Sequence, residues 1–200
     1  MGRKQDFTDK LFARIEKNPN IRNKIGAAVE NKVDTVLHNM PTREIHVHIH
    51  KAGSKDKFLH DLIVEVLENV LSGIIMSALK GQLLSTGKAN QILGTSSALG
   101  VDHRLANSNV DDLLDSDLLY PHMLAAIDNI SDVSVNSLTT DRLFTSMLNI
   151  PVLPDIDYSD YSSDFSDFMD VDSLDFDDSD FDGSDNGEWI VDLFSAMFSD

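Results

Sequence analysis

The chain has no cysteine. That excludes disulfides, thiolate metal sites and a cysteine nucleophile, and it fits an intracellular or virion protein. Proline is scarce, five in 200 residues, and tryptophan occurs once. Basic residues are missing altogether from the last stretch: from Asp155 to the end there is no Lys or Arg, against 15 Asp and one Glu. The N-terminal MGRKQDF lacks an apolar signal region and, with Asp6 at its sixth position, misses the myristoylation pattern. These features lead us to expect a soluble, non-secreted protein, nuclear, cytoplasmic or in a virion. Enzyme signatures are also absent: there is no Gly-rich phosphate loop, no HExxH and no G-x-S-x-G. A non-enzymatic role with no cofactor is expected.

Charge is distributed unevenly. Residues 1–90 hold 14 basic and 10 acidic groups, whereas residues 91–200 hold two basic and 24 acidic, within a total of −18. Such asymmetry marks an interaction tail. The net charge should repel nucleic acid and anionic membranes, so neither is an expected partner. A basic or groove-bearing protein is, and the Lys and Arg side chains of the first two helices are read as a solvated face.

The longest apolar-periodic stretch is Lys57–Leu84. Leu59, Leu62, Ile63, Val66, Leu67, Val70, Leu71, Ile74, Ile75 and Leu79 recur every three or four residues, which predicts one wide helical face. The uncharged run from Asn69 to Leu79 is 11 residues, short of the roughly 20 a membrane span needs, so a buried core helix is expected. Gly73 and Ser77 offer a packing notch. Upstream, Thr8 is read as the N-cap of a first helix, with Phe7 stapled onto Phe12. Ile21, Ile25, Val29, Val33 and Leu37 at four-residue steps predict a second helix, closed by Pro41.

The period then switches to two. In Glu44-Ile45-His46-Val47-His48-Ile49-His50 the aliphatic and histidine residues alternate strictly, which predicts a β-strand with His46, His48 and His50 on one face. A lone strand leaves its ladder groups unpaired. Its partner would be either Val133–Val135 or a second copy, and the latter suggests a homo-oligomer. Three imidazoles on one strand face could share a divalent metal or act as a protonation switch. The alternative is an amphipathic strand whose polar face is histidine. Locally EIHVHIH resembles the histidine-x-histidine strands at the trimeric tips of some phage tail proteins, and the resemblance implies metal ligation about a symmetry axis.

The fold class expected is therefore mainly α: a helical module over 1–87 with one short His-bearing strand. A flexible connector over 88–108 would follow, with a short helical turn inside it. Short helices over 109–150 would pack on the module. Asn109 or Ser108 would cap the first of these, bearing Leu113, Leu114, Leu118 and Leu119. Pro121 would open the next, with Met123, Leu124 and Ile127 inward.

Residues 151–200 form an acidic, aromatic tail, expected to be disordered in isolation. Its last segment differs. Trp189, Ile190, Leu193, Phe194, Met197 and Phe198 form one stripe at helical spacing, suited to a partner's groove or to the chain's own core. Asp178, Asp180, Asp182 and Gly183 match positions 1, 3, 5 and 6 of an EF-hand loop, but Trp189 occupies position 12 and Glu188 falls one residue early. The alternation of acids with aromatics resembles acidic transcriptional activation segments, which implies recruitment of a protein partner. The functional expectation is thus an oligomeric module presenting a recruitment tail, a transcription regulator in its most concrete form. A viral or phage structural or assembly protein is the alternative, and a metal-binding protein acting through the His strand a more distant one.

Overall fold

The computed structural model describes residues 2–130. Among them are eight helices and no strand: α1 Arg3–Glu16, α2 Pro19–Asn39, α3 Thr42–Ala52, α4 Lys55–Ser85, α5 Ala89–Leu93, α6 Ala98–Ala106, α7 Val110–Asp115 and α8 Tyr120–Asp128.

The long apolar stretch forms α4, 31 residues opened by Ser54, whose side chain accepts from Lys57 N–H at 3.1 Å. α2, α3, α6 and α8 all pack against it. Its flanks bury Phe58, Leu62, Val66 and Leu83, and at its centre Gly73, Ile74, Ile75 and Met76 are buried consecutively. Four successive buried residues cover every side of a helix, so α4 is the spine of the bundle rather than one of its staves. By length and composition it is also long and apolar enough to cross a membrane, yet 61 % of its most apolar window is buried inside the fold.

α2 follows its four-residue pattern. Ile21, Ile25, Val29 and Val33 are buried and Leu37 packs beside them. Asn18 caps the helix by accepting from the N–H groups of Asn20 and Ile21, and Pro19 supplies the preset φ of a first turn. α7 is capped by Asn109, which accepts from Asp111 N–H at 3.0 Å. α8 carries Pro121 in its first turn and buries Met123 and Ile127. Leu113, Leu114 and Leu119 are buried, whereas Leu118 faces solvent.

Three expectations are corrected. The His-bearing segment 44–50 is not a strand but the middle of α3. Among the described residues no strand exists to pair with it, and a helix satisfies the same backbone groups internally. The aliphatic spacing permits this, since Ile45 and Ile49 are four apart as well as alternate. Glu44 lies in the first turn, His50 and Lys51 in the last, and Gly53 closes the helix at φ 87° in the left-handed region. Second, α1 begins at Arg3 after Gly2, and Thr8 lies inside it. The Thr8 hydroxyl donates back to the Lys4 carbonyl at 2.8 Å instead of capping. Third, the stretch 88–108 carries α5 and α6, with Ala89, Val101 and Leu105 buried and Ser97 capping α6 through Gly100 N–H. Two leading apolar residues four apart are enough to seat a nine-residue helix on α4.

Candidate functional site

α3 is where the chain's ambiguous chemistry sits. It folds back along the first turns of α4, and the His48 ring stacks on Phe58 with centroids 5.7 Å apart. Successive helical residues are about 100° apart around the axis. His46 and His50 therefore share one side, and His48 lies on the other. The helix does not bring the three imidazoles to one face. Among the described residues no group of three or more His, Asp or Glu side chains gathers to hold a metal ion. His48 is half-buried, and burial, with Lys51 nearby, pushes its pKa below the usual imidazole value against a weaker pull from Glu44. His46 is half-buried too, and its Nε2 is closed off from solvent without a hydrogen-bond partner. His50 is exposed.

Val47 is unusual. It lies roughly 160° around the helix from Ile45, on the side away from the core-facing Ile45 and Ile49. It is nevertheless only 1 % exposed. Among the described residues it does not belong to the contiguous apolar core that includes Ile45.

A second constellation joins the two ends of the described chain. The basic residues of α1 lie on a solvated face, as expected, and several of them pair there with the acids of 111–128. Arg3 pairs with Asp117 and lies 5.2 Å over the Tyr120 ring. Lys4 Nζ is 3.1 Å from Asp111 and Lys10 Nζ 2.9 Å from Asp128. Lys10 also donates to the Leu124 carbonyl at 2.9 Å. Arg14 donates through Nε and Nη2 to the Ile130 carbonyl, at 3.1 and 2.7 Å. The Tyr120 hydroxyl donates to Asp6 at 2.7 Å, which raises its pKa. No local signal marks these pairs, because the partners are more than 100 residues apart.

One further ion pair is nearly enclosed. Lys80 Nζ on α4 lies 2.8 Å from Asp102 Oδ1 on α6, with side chains 17 % and 14 % exposed. The buried Oδ1 makes no hydrogen bond, so the contact is one of charge with charge rather than an aligned donor and acceptor.

The terminal stripe (Trp189, Ile190, Leu193, Phe194, Met197, Phe198) and the EF-hand-like residues (Asp178, Asp180, Asp182, Glu188) lie outside the described residues. No protein-family model, no curated protein and no solved structure matches this chain.

Proposed function

We propose that the chain is a non-enzymatic interaction protein, a helical body that presents an acidic, aromatic recruitment segment to a basic or groove-bearing protein partner. A transcription regulator of activation type is its most concrete form. The observation that carries this reading is the partition of charge. Residues 2–130, which build the bundle, hold 15 basic and 16 acidic groups and are nearly balanced, whereas residues 131–200 hold one basic and 18 acidic. A body that needed acid for solubility or for folding would carry it on its own helices. Here the excess is set apart with most of the chain's aromatics, the composition that keeps apolar side chains accessible to a partner. The assembly-protein alternative drew on a His strand and the central helix to build an oligomer, and the first of these is helical.

The test is capture of partners from the source lysate by the full chain, compared with a Trp189→Ala/Phe194→Ala variant and identified by mass spectrometry. Transcription components retained by the parent and lost by the variant are expected. An identical protein set on both baits would overturn the reading.

A further inference from the structure

α1 is held less like a stave of the bundle than like a bound peptide. Its principal neighbours are α2, α7 and α8, whereas the spine α4 is covered by α2, α3, α6 and α8. All four basic residues of α1 reach 111–130: Arg3 to Asp117, Lys4 to Asp111, Lys10 to Asp128 and the Leu124 carbonyl, and Arg14 to the Ile130 carbonyl. That stretch holds five Asp and no Lys or Arg. Alongside these contacts Phe7, Leu11 and Ile15 form one row at four-residue steps, each no more than 5 % exposed. α7, α8 and the turn between them bring Leu113, Leu119, Met123 and Ile127 to the same core. The seat of α1 is therefore apolar along its floor and acidic along its rim. The joint to α2 consists of Lys17 and Asn18, and only Asn18 leaves the helical region, at φ −126° and ψ 93°. The Asn18 side chain caps α2 by accepting from Asn20 and Ile21 N–H, which needs no residue of α1. Rotation at one residue can swing α1 away while α2 keeps its cap and α4 its cover. The ion pairs that hold α1 are open to water, the Lys4 and Asp111 side chains by 68 % and 56 %, so the cations of another helix can reach the same carboxylates and no single pair binds α1 strongly.

We propose that the seat formed with α7 and α8 takes a basic amphipathic helix of a partner protein, and that α1 fills it in the unbound chain as a strap which the partner displaces. α1 itself is the template for that partner. The helix that fits carries apolar anchors at three successive four-residue steps, as Phe7, Leu11 and Ile15 do, the helix-in-groove mode of recognition. It carries Lys or Arg three residues before the first anchor and three after the first and second, the places of Lys4, Lys10 and Arg14. This goes beyond the recruitment reading: the partner is basic in both, but the surface here belongs to the bundle and uses no residue after Ile130. The partner's apparent affinity is its intrinsic affinity multiplied by the fraction of molecules whose α1 is displaced, so the strap sets the threshold for binding.

The probe is a fluorescein-labelled peptide of residues 2–17, titrated against the full chain and read by polarisation. Leu11→Asp places a carboxylate in the acidic seat and unseats the chain's own α1. That variant should bind the probe about tenfold or more tightly than the parent, the factor being the closed fraction it removes. A probe carrying Lys4→Glu and Lys10→Glu should lose binding to the Leu11→Asp chain and regain it when that chain also carries Asp111→Lys and Asp128→Lys. Binding by neither chain, equal binding by both, or a charge swap that restores nothing overturns the proposal. A parent dimer that Leu11→Asp abolishes assigns the seat to the α1 of a second copy and overturns it too. If Leu11→Asp fails to fold, amide hydrogen exchange of the parent decides. The later turns of α1 should exchange at least about tenfold faster than α4, and exchange of both at one rate overturns the proposal, because α1 then opens only when the whole bundle does. None of these readouts involves Trp189 or Phe194, so their failure leaves the recruitment reading untouched.

Discussion

Lys80 and Asp102 show what a single enclosed charge does to this fold. Each is nearly out of water, and each offsets the other's desolvation. Asp102→Ala should lower the unfolding free energy by about 2 kcal/mol, because it removes a carboxylate 2.8 Å from the largely buried Lys80 ammonium. The double variant Asp102→Ala/Lys80→Met should recover most of that loss. Urea denaturation of the three proteins checks both statements. His48 makes a second prediction. Its pKa is lowered by burial, so the folded state favours neutral imidazole and the unfolded state binds the proton first. Stability is therefore full above the ordinary imidazole value and declines as pH falls through it toward the folded value. Between about pH 7.5 and about 5.5 the melting temperature should drop, and His48→Gln should flatten part of that drop. Glu65 acts in the opposite sense. Burial and then Glu68 raise its pKa, so its contribution is largest in acid and is lost as pH rises through the raised folded value. His48 and Glu65 thus tilt the pH profile in opposite directions over different ranges.

Among the elements, α4 carries the largest share of the core. Leu67→Ala or Met76→Ala, at positions with no exposed surface, should cost about 2–5 kcal/mol. Leu118→Ala, at a residue 68 % exposed, should stay within about 0.5 kcal/mol. The same denaturation series separates them, and equal losses would contradict the burial pattern. α2 and α4 were legible in advance, because their apolar residues step by three and four over many turns and only a helix puts them on one side. α3 was not. Ile45, Val47 and Ile49 alternate, which a strand requires, but Ile45 and Ile49 also satisfy a helix, and seven residues contain too few repeats to separate the two periods. What decided it was the tertiary setting, with no strand among the described residues and α4 available to cover Ile45. α6 was missed for a related reason: Val101 and Leu105 are its leading apolar contacts in a run of small residues. The candidate sites were less legible still. The histidines were visible in the sequence, but neither the separation of His48 from His46 and His50 nor the enclosure of Val47 follows from spacing alone.

For the molecule as a whole, the pairs between α1 and 111–130 are mostly exposed, and each is worth little alone. Together they hold the N-terminal helix against α7 and α8 through Arg3, Lys4, Lys10 and Arg14. Raising salt to about 1 M, where the screening length falls to about 3 Å, should speed amide hydrogen exchange in α1 much more than in α4. Arg14→Ala should have a similar local effect at low salt by removing both bonds to the Ile130 carbonyl. Equal exchange of α1 and α4 under both conditions would show that Phe7, Leu11 and Ile15 alone secure the helix. The arrangement also has a consequence in time. The polar groups that tie α1 to α7, α8 and Ile130 are made more than 100 residues after it. A growing chain can therefore pack α2, α3 and α4, whose contacts are nearer in sequence, while α1 still waits for α7 and α8. Contacts of such separation form late and are the slow step of closure. Until those partners arrive α1 has α2 beside it but not α7 or α8, and part of its row of Phe7, Leu11 and Ile15 is open to whatever else is near.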